Sequence, residues 1–178
     1  NISNNLDFNN YLKRFGYKFK NQNYEVGNYV ILKNNKINLI MDVGSTPNYK
    51  YTKNYQAGAL SFEIVSKGKK LISNCGYYKK QNTKLNKISR SSASQSTLTI
   101  DDHSSCKFTV VNNSLIIKKG LKITKKNIIF EKNYWKISAS HDGYLKKYNS
   151  IHEREIEFYP EQLTFIGLDK IFKKKTNH

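Results

Sequence analysis

The chain has 178 residues, which is enough for one domain with its own hydrophobic core. It carries 31 Lys and Arg against 13 Asp and Glu, and the resulting net charge of +18 would attract nucleic acid, an anionic membrane surface or an acidic polysaccharide. No run approaches about 18 consecutive apolar residues and the two cysteines match no disulfide, zinc or redox pattern, so a membrane-spanning helix and a disulfide scaffold are excluded.

The positive charge is almost all lysine and is spread along the chain, so compositional bias explains it as well as polyanion binding does. A nucleic-acid-binding β domain would need its lysines clustered with exposed aromatic side chains on one face. In the predicted strands the aromatic residues alternate as core residues would. This argues against nucleic acid as the partner.

The predicted elements begin with one helix candidate from Asn4 to Phe15, in which Leu6, Tyr11 and Leu12 could share a face. Short runs rich in β-branched and aromatic residues follow, with alternating apolar and polar positions that are typical of strands. These runs are Tyr29–Leu32, Ile37–Met41, Leu60–Val65, Lys70–Ser73, Ser96–Ile100, Lys107–Val111, Leu115–Ile117, Asn127–Phe130, Tyr134–Ala139, Arg154–Tyr159 and Gln162–Gly167.

Polar stretches that favour tight turns separate several of the runs and predict hairpin connections. They are Asn34–Lys36, Lys67–Lys69, Asn112–Ser114 and Pro160–Gln162. The polar stretch Lys79–Ser94 has no apolar periodicity and predicts a long loop, either facing a substrate or lying on the surface. Because no long helical period would make a βαβ unit, the sequence predicts an all-β fold, an antiparallel two-sheet β-sandwich.

Three segments, taken together and in order, resemble the β-sandwich domain of the heparinase II/III-like polysaccharide lyases. Tyr55–Glu63 reads YQAGALSFE where that family typically has His-Ala-(Asp/Gly/Ser)-x-Leu-Ser-Phe. Leu71–Gly76 ends in Asn-Cys-Gly where the family has Asp or Asn before Cys/Ser-Gly, and Arg90–Ile100 corresponds to Arg-x-Thr-x-x-His-(Asn/Ser)-Thr. Both motif histidines are glutamines in this chain, Gln56 and Gln95.

Further segments extend the resemblance from about Tyr24 to Lys170. Ser138–Tyr144 and His152–Arg154 resemble the family's Ala-x-His-Asp-Gly-Tyr and His-x-Arg segments, and Asp42–Pro47 resembles its Asp-x-Gly-Pro-Pro segment. The specificity of the resemblance comes from the ordered set of segments rather than from any single one.

The four histidines show no pair at a metal-binding spacing, so the sequence predicts no site from them. They are His103, His141, His152 and His178. The Asp142-Gly143 pair predicts a tight turn between two strands, and His141 would brace that turn.

The resemblance implies a connector and lead-in over residues 1–23, the heparinase II/III-like β-sandwich over 24–172 and a truncated end over 173–178. The chain begins with Asn rather than Met and stops just after a strand-like run, so we expect a fragment of a longer protein. In the family an α-helical toroid domain precedes the sandwich and supplies most of the catalytic machinery. That domain of the same chain is therefore an expected partner.

The resemblance also implies where a metal would lie. In characterised family members two histidines and an aspartate hold a structural zinc, and their positions fall on Gln56, Asn74 and Gln95. Neutral amides are poor zinc ligands compared with imidazole, thiolate or carboxylate, so we expect no metal and no cofactor. The three amides would either hydrogen-bond to one another and replace the metal as a cross-link between strands, or contact sugar hydroxyls.

Asn54 lies two positions before Gln56, where some family members carry a His that assists catalysis. Asn cannot act as a general base at neutral pH, although it can hold a carboxylate or hydroxyl by hydrogen bonds. Tyr55 is a candidate acid, or a strand-edge tyrosine that packs on its neighbours. These two are the candidate catalytic residues.

Arg90 matches the arginine of the third motif and is a candidate bidentate partner for a uronate carboxylate. Gln56 and Gln95 are the other candidate substrate contacts. The competing interpretation of Arg90 is an internal salt bridge, whose acidic partner would be Asp101, Asp102 or Glu63.

The resemblance implies a bacterial lyase that cleaves a uronate-containing acidic polysaccharide, such as a glycosaminoglycan or alginate, by β-elimination in the periplasm or cell envelope. Without the toroid domain we expect this chain to bind weakly and to catalyse nothing. The alternative is a non-catalytic carbohydrate-binding or assembly module that kept the fold and lost the metal. An upstream toroid with a cleft Tyr and an Asn or His would favour the lyase.

Overall fold

The computed structural model describes residues 5–16, 24–80, 83–112 and 114–174. The expected connector over 1–23 and the expected end over 173–178 therefore lie partly outside the described residues. α1 confirms the predicted N-terminal helix, whose first residue, Asn4, is also outside them. The helices are α1 Asn5–Arg14, α2 Lys84–Arg90 and α3 Leu145–Tyr148, with short 3₁₀ turns at Tyr49–Tyr51 and Ser92–Ser94.

Strands make up most of the regular structure in the described part of the chain. They are β1 Glu25–Val26, β2 Tyr29–Lys33, β3 Ile37–Asp42, β4 Phe62–Ser66, β5 Lys69–Ile72, β6 Lys107–Val111, β7 Ser114–Lys119, β8 Ile123–Phe130, β9 Trp135–His141, β10 Ser150–Tyr159 and β11 Thr164–Lys173. The predicted hairpin connections join β2 to β3, β4 to β5, β6 to β7 and β10 to β11; residue 113 in the third lies outside the described residues.

The strands form two sheets and a separate ribbon. β1 to β5 make a five-stranded sheet in chain order, β8 to β11 make a four-stranded sheet in the order β11-β10-β9-β8, and β6 pairs with β7 alone. Every pair is antiparallel. Buried side chains from both sheets share one core, which confirms the antiparallel two-sheet sandwich; they include Val30, Leu32, Leu39 and Met41 from the first sheet and Trp135, Ile137, Ile156 and Phe158 from the second.

The alternation of side chains fixes the register of the second sheet. Along β10 every second residue is buried, and the others are half-buried. Trp135 lies opposite Phe158 in the β9–β10 pairing, and their rings are 4.8 Å apart. A slip of one residue would turn the whole buried row of β10 toward solvent, and each large side chain exposed in this way would cost about 1.5–3 kcal/mol.

A smaller apolar cluster fastens the ribbon to the loop before β4. Ala57 and Ala59 of that loop are buried against Cys106, Ile117 and Leu121. The loop is the first family-like segment, so this packing places it between the five-stranded sheet and the ribbon.

Ser96–Ile100 was predicted to be a strand, and this prediction is wrong. Its polar groups are used in local and side-chain bonds instead of a ladder: the Ser96 N–H donates to the Asn74 side chain at 2.8 Å, and the Thr97 hydroxyl donates to the Ala59 carbonyl at 2.8 Å. Short hydroxyl side chains compete with strand pairing in this way. Only Ile100 makes an isolated bridge, to His103.

The long loop predicted over 79–94 is also wrong in its second half, which forms α2 and a 3₁₀ turn. Thr83 caps α2 by accepting a hydrogen bond from the Asn86 N–H at 3.1 Å, and the buried Asn86 side chain donates to the Tyr78 carbonyl at 2.6 Å. Capping compensates for the absence of an apolar period. Residues 81–82 lie outside the described residues.

Asp142 and Gly143 do lie in a turn, in which the Leu145 N–H donates to the Asp142 carbonyl at 2.9 Å. The turn does not join the two strands directly, because the connection from β9 to β10 spans residues 142–149 and contains α3. The Gly143 N–H donates to His141 Nδ1 at 3.0 Å, so the histidine does contact this connection. A Cβ atom on Gly143 would lie 2.6 Å from the Ser105 carbonyl oxygen, and therefore only glycine fits there without a backbone shift.

We expect Gly143→Ala to lower the free energy of unfolding by about 1–3 kcal/mol, because overpacking forces the backbone to move. Gly167→Ala is the matched control, since a Cβ there meets nothing within 4 Å and its φ is not positive. It should change stability by less than about 0.5 kcal/mol in urea unfolding. Equal effects of the two substitutions would contradict the close packing at Gly143.

Candidate functional site

The first and third family-like segments lie side by side. The Ala57 N–H donates to the Arg90 carbonyl at 2.9 Å, and the Ser92 hydroxyl donates to the Ala57 carbonyl at 2.7 Å. Ser92 also accepts from the Ser105 N–H at 3.0 Å. The loop that carries Gln56 is therefore held by backbone and hydroxyl bonds to the segment that carries Gln95.

The two glutamines meet in space. Gln95 Nε2 lies 3.2 Å from Gln56 Oε1 and donates to the Ser89 carbonyl at 3.0 Å. Asn74 does not contact either glutamine; its Oδ1 accepts from the Ser96 N–H at 2.8 Å. All three amide side chains are half-buried, and together they tie the first, second and third segments to one another.

Arg90 is fully buried beneath this cluster. Its guanidinium donates to the carbonyls of Tyr55 at 2.8 Å, Leu115 at 2.6 Å and Thr52 at 2.7 Å, and its charge lies 5.0 Å from the centre of the Phe108 ring. Burial lowers the pKa of Arg90 from its usual value.

The structure also assembles a buried polar network that the sequence did not predict. His152 and His141 are a cross-strand pair of β10 and β9, both are buried, and His152 Nδ1 lies 3.1 Å from His141 Nε2. His152 Nε2 lies 2.6 Å from Asp169 Oδ1, and this oxygen also accepts a hydrogen bond from Arg154 Nε at 2.8 Å. The other carboxylate oxygen, Oδ2, accepts from Arg154 NH2 at 2.7 Å.

The hydrogen bonds of this network fix the histidine protons. Because the Gly143 N–H donates to His141 Nδ1, a neutral His141 carries its proton on Nε2 and donates it to His152 Nδ1. His152 then donates from Nε2 to Asp169. Only the pairing register of β9 and β10 brings the two histidines together, since they are 11 residues apart in the chain.

Burial and the neighbouring charges act together on the pKa of His141 but against each other on the pKa of Asp169. Burial first, and then the neighbouring His152 and Arg154, lower the pKa of His141 to about 3. Burial alone would raise the pKa of Asp169, but hydrogen bonds from His152 and Arg154 and the charge of Arg154 outweigh it and hold that pKa well below its usual range. The network is therefore built around a neutral His141 and an ionised Asp169.

Arg154 joins this network to the family-like loops. It is nearly buried, and its NH1 donates to the Leu60 carbonyl at 2.9 Å and also to the Ser96 carbonyl. Its guanidinium lies 5.3 Å from the centre of the Phe62 ring. One continuous polar path thus runs from the neighbourhood of Asn74 to His141.

Asp42, at the end of β3 and the first residue of the family-like segment Asp42–Pro47, is a further carboxyl with a perturbed pKa. Its carboxylate accepts from the Gly44 N–H at 2.8 Å, and its backbone bonds Leu60 and Ser61 at 2.9 Å each. Burial raises the pKa of Asp42 to about 6, although the Gly44 hydrogen bond opposes that shift. The backbone bonds give Asp42 a positioning role at the start of β4.

Comparison with known proteins identifies the family of this chain. The family model described as "Heparinase II/III-like, C-terminal" matches residues 19–178. The chain belongs to this family. The resemblance drawn from the ordered segments is thereby confirmed. A search of curated proteins finds no match.

Among solved structures, the fold is similar to a heparan sulfate lyase HepC mutant from Pedobacter heparinus, with a TM-score of 0.63 and 15% sequence identity. The match covers 93% of this chain and 25% of that one. At this identity the likeness shows the fold alone. The chain spans about a quarter of the length of that lyase.

The family's zinc does not fit the residues of this member. All three ligand positions hold neutral amides, and the Gln56 and Asn74 oxygens already accept hydrogen bonds from Gln95 and Ser96. Amide oxygens are weak ligands for zinc. Within the described residues, no group of three or more His, Cys, Asp or Glu side chains is arranged to hold a metal ion, and no helix is both long and apolar enough to cross a membrane.

The candidate catalytic residues have different environments. Asn54 is exposed, and its Oδ1 accepts from the Tyr77 hydroxyl at 3.0 Å. The Tyr55 ring packs on the smaller apolar cluster, and its hydroxyl is buried near Thr46 and Cys106. Burial first, and then Cys106, raise the pKa of Tyr55 far above its usual value. Because the hydroxyl is buried, it is out of reach of a glycosidic oxygen at the surface, and the packing interpretation of Tyr55 replaces the interpretation as an acid.

The predicted contact between Arg90 and a uronate carboxylate is also corrected. Its three backbone bonds and full burial leave no surface for a sugar carboxylate, and its partners are carbonyls rather than Asp101, Asp102 or Glu63. A guanidinium suits this task because its planar fork can satisfy several carbonyls at once.

We expect Arg90→Met to lower the free energy of unfolding by at least about 3 kcal/mol, because each of three carbonyls loses its partner at about 1–3 kcal/mol. Arg14→Met, at an exposed position of α1, should change it by less than about 0.5 kcal/mol. The measurement is urea unfolding of both variants. Unchanged stability of Arg90→Met together with weaker sugar binding would restore the substrate-contact interpretation.

We expect the protein to lose stability in mild acid through His141. Its folded pKa of about 3 lies below the unfolded value of 6.5, so only the unfolded chain takes up this proton as the pH falls between those values. From about pH 6.5 to about pH 5 the loss due to His141 should be about 1.6 kcal/mol, and it is partly offset by Asp42, whose raised pKa of about 6 makes the folded protein take up a proton in the same range. Urea unfolding at several pH values measures it.

His141→Gln should remove most of this acid sensitivity, whereas His103→Gln, at an exposed histidine, should keep it. Gln retains an acceptor for the Gly143 N–H. A stability difference between wild type and His141→Gln that stays constant from about pH 6.5 to about pH 5 would contradict the buried neutral state of His141.

Proposed function

We propose that this chain is the β-sandwich portion of a polysaccharide lyase that cleaves a uronate-containing acidic polysaccharide by β-elimination. The family match over residues 19–178 is the observation that carries the proposal. The net charge of +18 supports an anionic polymer as the substrate.

β-Elimination needs a neutralised uronate carboxylate, a base that takes the proton from the adjacent carbon, and an acid that protonates the departing glycosidic oxygen. A carbon–carbon double bond forms as the carbon–oxygen bond breaks, and no water is consumed. Among the described candidates Asn54 is exposed and polar, so it is suited to holding a hydroxyl or carboxylate of the sugar. It is not suited to taking the proton.

The base and acid therefore come from elsewhere in the full-length protein, and we assign them to an α-helical toroid domain of the same chain. Gln56 and Gln95 are half-buried at the same segment and would contribute hydrogen bonds to sugar hydroxyls at their exposed parts. The bacterial periplasm or cell envelope, where large acidic glycans are encountered, is the proposed location.

The second candidate function is a non-catalytic carbohydrate-binding or assembly module. It is favoured by one observation, the replacement of all three zinc-ligand positions by amides. Such a module would keep the sandwich and the anionic ligand but release no product.

We expect the full-length protein to release an unsaturated uronate product from at least one of heparan sulfate, chondroitin sulfate and alginate, followed by ultraviolet absorbance. Asn54→Ala should lower kcat/KM about 10-fold, which is the value of one hydrogen bond of about 1.4 kcal/mol. Asn35→Ala, in the exposed β2–β3 hairpin, is the matched control and should leave it unchanged. Binding without product on every polymer would favour the module.

A further inference from the structure

A groove of about 890 Å³ opens between the β6–β7 ribbon and the α3 connection. Two Lys-Lys pairs from distant parts of the chain converge on it, together with a fifth lysine and one histidine. These residues are Lys107, Lys118, Lys119, Lys146, Lys147 and His103. The volume is within the range of about 300–1,000 Å³ that is usual for ligand sites.

No carboxylate lines this groove. Within the described part of the chain, none of the five lysines forms an ion pair with Asp or Glu, although Lys126 and Lys136 elsewhere do. Lys107 and Lys119 are direct cross-strand partners, a placement in which like charges repel. The groove thus concentrates positive charge on lysines that make no ion pair with Asp or Glu among the described residues.

The floor of the groove is fixed rather than loose. The Tyr144 hydroxyl donates to the Leu98 carbonyl at 2.7 Å, and the Tyr148 hydroxyl lies 3.0 Å from His103 Nδ1. Lys147 contacts His103 Nε2 and lies 5.2 Å from the centre of the Tyr148 ring. The β6–β7 ribbon and the α3 connection, which both carry lysines, therefore face each other across a floor that is held by hydrogen bonds.

The groove is also joined to the first family-like segment. Ser105 on its floor donates its N–H to Ser92, and Ser92 donates to the Ala57 carbonyl, one residue after Gln56. Buried hydrogen bonds thus connect the floor of the groove to the backbone of the first family-like segment.

We propose that this groove binds the anionic groups, sulfate or carboxylate, of successive sugars in an acidic polysaccharide chain. The inference rests on the proposed function and adds to it the part of the surface that holds the polymer. Lysine ammonium groups bind such anions as point charges, and binding releases the counterions of the polymer, so the affinity falls as salt rises.

Nucleic acid fits the groove less well. Proteins that bind single strands stack the bases on exposed aromatic rings. The aromatic side chains here are Tyr144, which is buried, and Tyr148, which is half-buried and covered by Lys147. The groove offers charge without a stacking platform, and this suits a sugar chain with regularly spaced anions.

The test compares two double variants of the full-length protein that lose the same charge. Lys118→Gln with Lys119→Gln removes two groove lysines, and Lys69→Gln with Lys70→Gln removes two exposed lysines of β5. Calorimetry with a heparan sulfate hexasaccharide should show about 10-fold weaker binding for the groove variant and less than about 2-fold for the control. Thermal melting checks that both variants fold.

Three further arms sharpen the test. An unsulfated alginate hexasaccharide distinguishes carboxylate from sulfate as the bound group, and an uncharged maltohexaose should not bind. The imidazole C–H signals of His103 in NMR should shift on adding the hexasaccharide, because this side chain lies in the groove. Equal weakening by the two double variants, or no shift at His103, would overturn the inference.

A DNA oligonucleotide of similar charge that binds as tightly, and is equally sensitive to the groove variant, would also overturn it. The proposed function fails separately. Binding of the hexasaccharide in the groove, without unsaturated product from any polymer, would contradict the lyase function and support the binding site. Equal product formation by the groove variant and the control variant would support the lyase function and contradict the binding site.

Discussion

A guanidinium enclosed between two sheets must find a partner for its N–H groups, and Arg154 meets this demand by holding the sandwich and the family-like loops together. It pairs with Asp169 on the neighbouring strand and reaches across to the carbonyls of Leu60 and Ser96. Because the Asp169 side chain is about one-third exposed, solvent screens the ion pair, and the bonds to the two carbonyls contribute most where Arg154 is buried: a buried carbonyl that loses its partner costs about 1–3 kcal/mol. The loops are therefore positioned through their backbone, whatever side chains they display.

Arg90 uses the same device on the other side of the loop, with carbonyls of Thr52, Tyr55 and Leu115. Two buried cations thus fix the segment between them through its backbone carbonyls. This explains how the motif histidines can be glutamines while the segment stays in place. The Gln56–Gln95 contact is a modest addition, since a net hydrogen bond contributes only about 0.5–1.5 kcal/mol.

Alternation was enough to predict the class and most strands, because one face of each sheet is buried and the other is not. It failed at Ser96–Ile100, where hydroxyl and amide side chains take the backbone bonds, and in α2, which depends on a cap rather than on an apolar face. The roles of Arg90 and His141 were hidden for a different reason. Which carbonyls surround a guanidinium, and which histidines face each other across a strand pair, depend on long-range register that spacing in the chain does not encode.

The interior and the surface of the sandwich carry different kinds of polar side chain. His141, His152 and Tyr144 are buried and engaged in internal bonds, so the groups best able to move protons do not face a polymer. What the groove presents to solvent is lysine, whose ammonium group can neutralise and align anions but, while charged, has no lone pair with which to accept a proton. Under the proposed function, a sandwich built in this way would supply the electrostatic half of an elimination, the half that makes the proton beside a carboxylate easier to remove. The proton transfers themselves would then belong to groups outside the described residues.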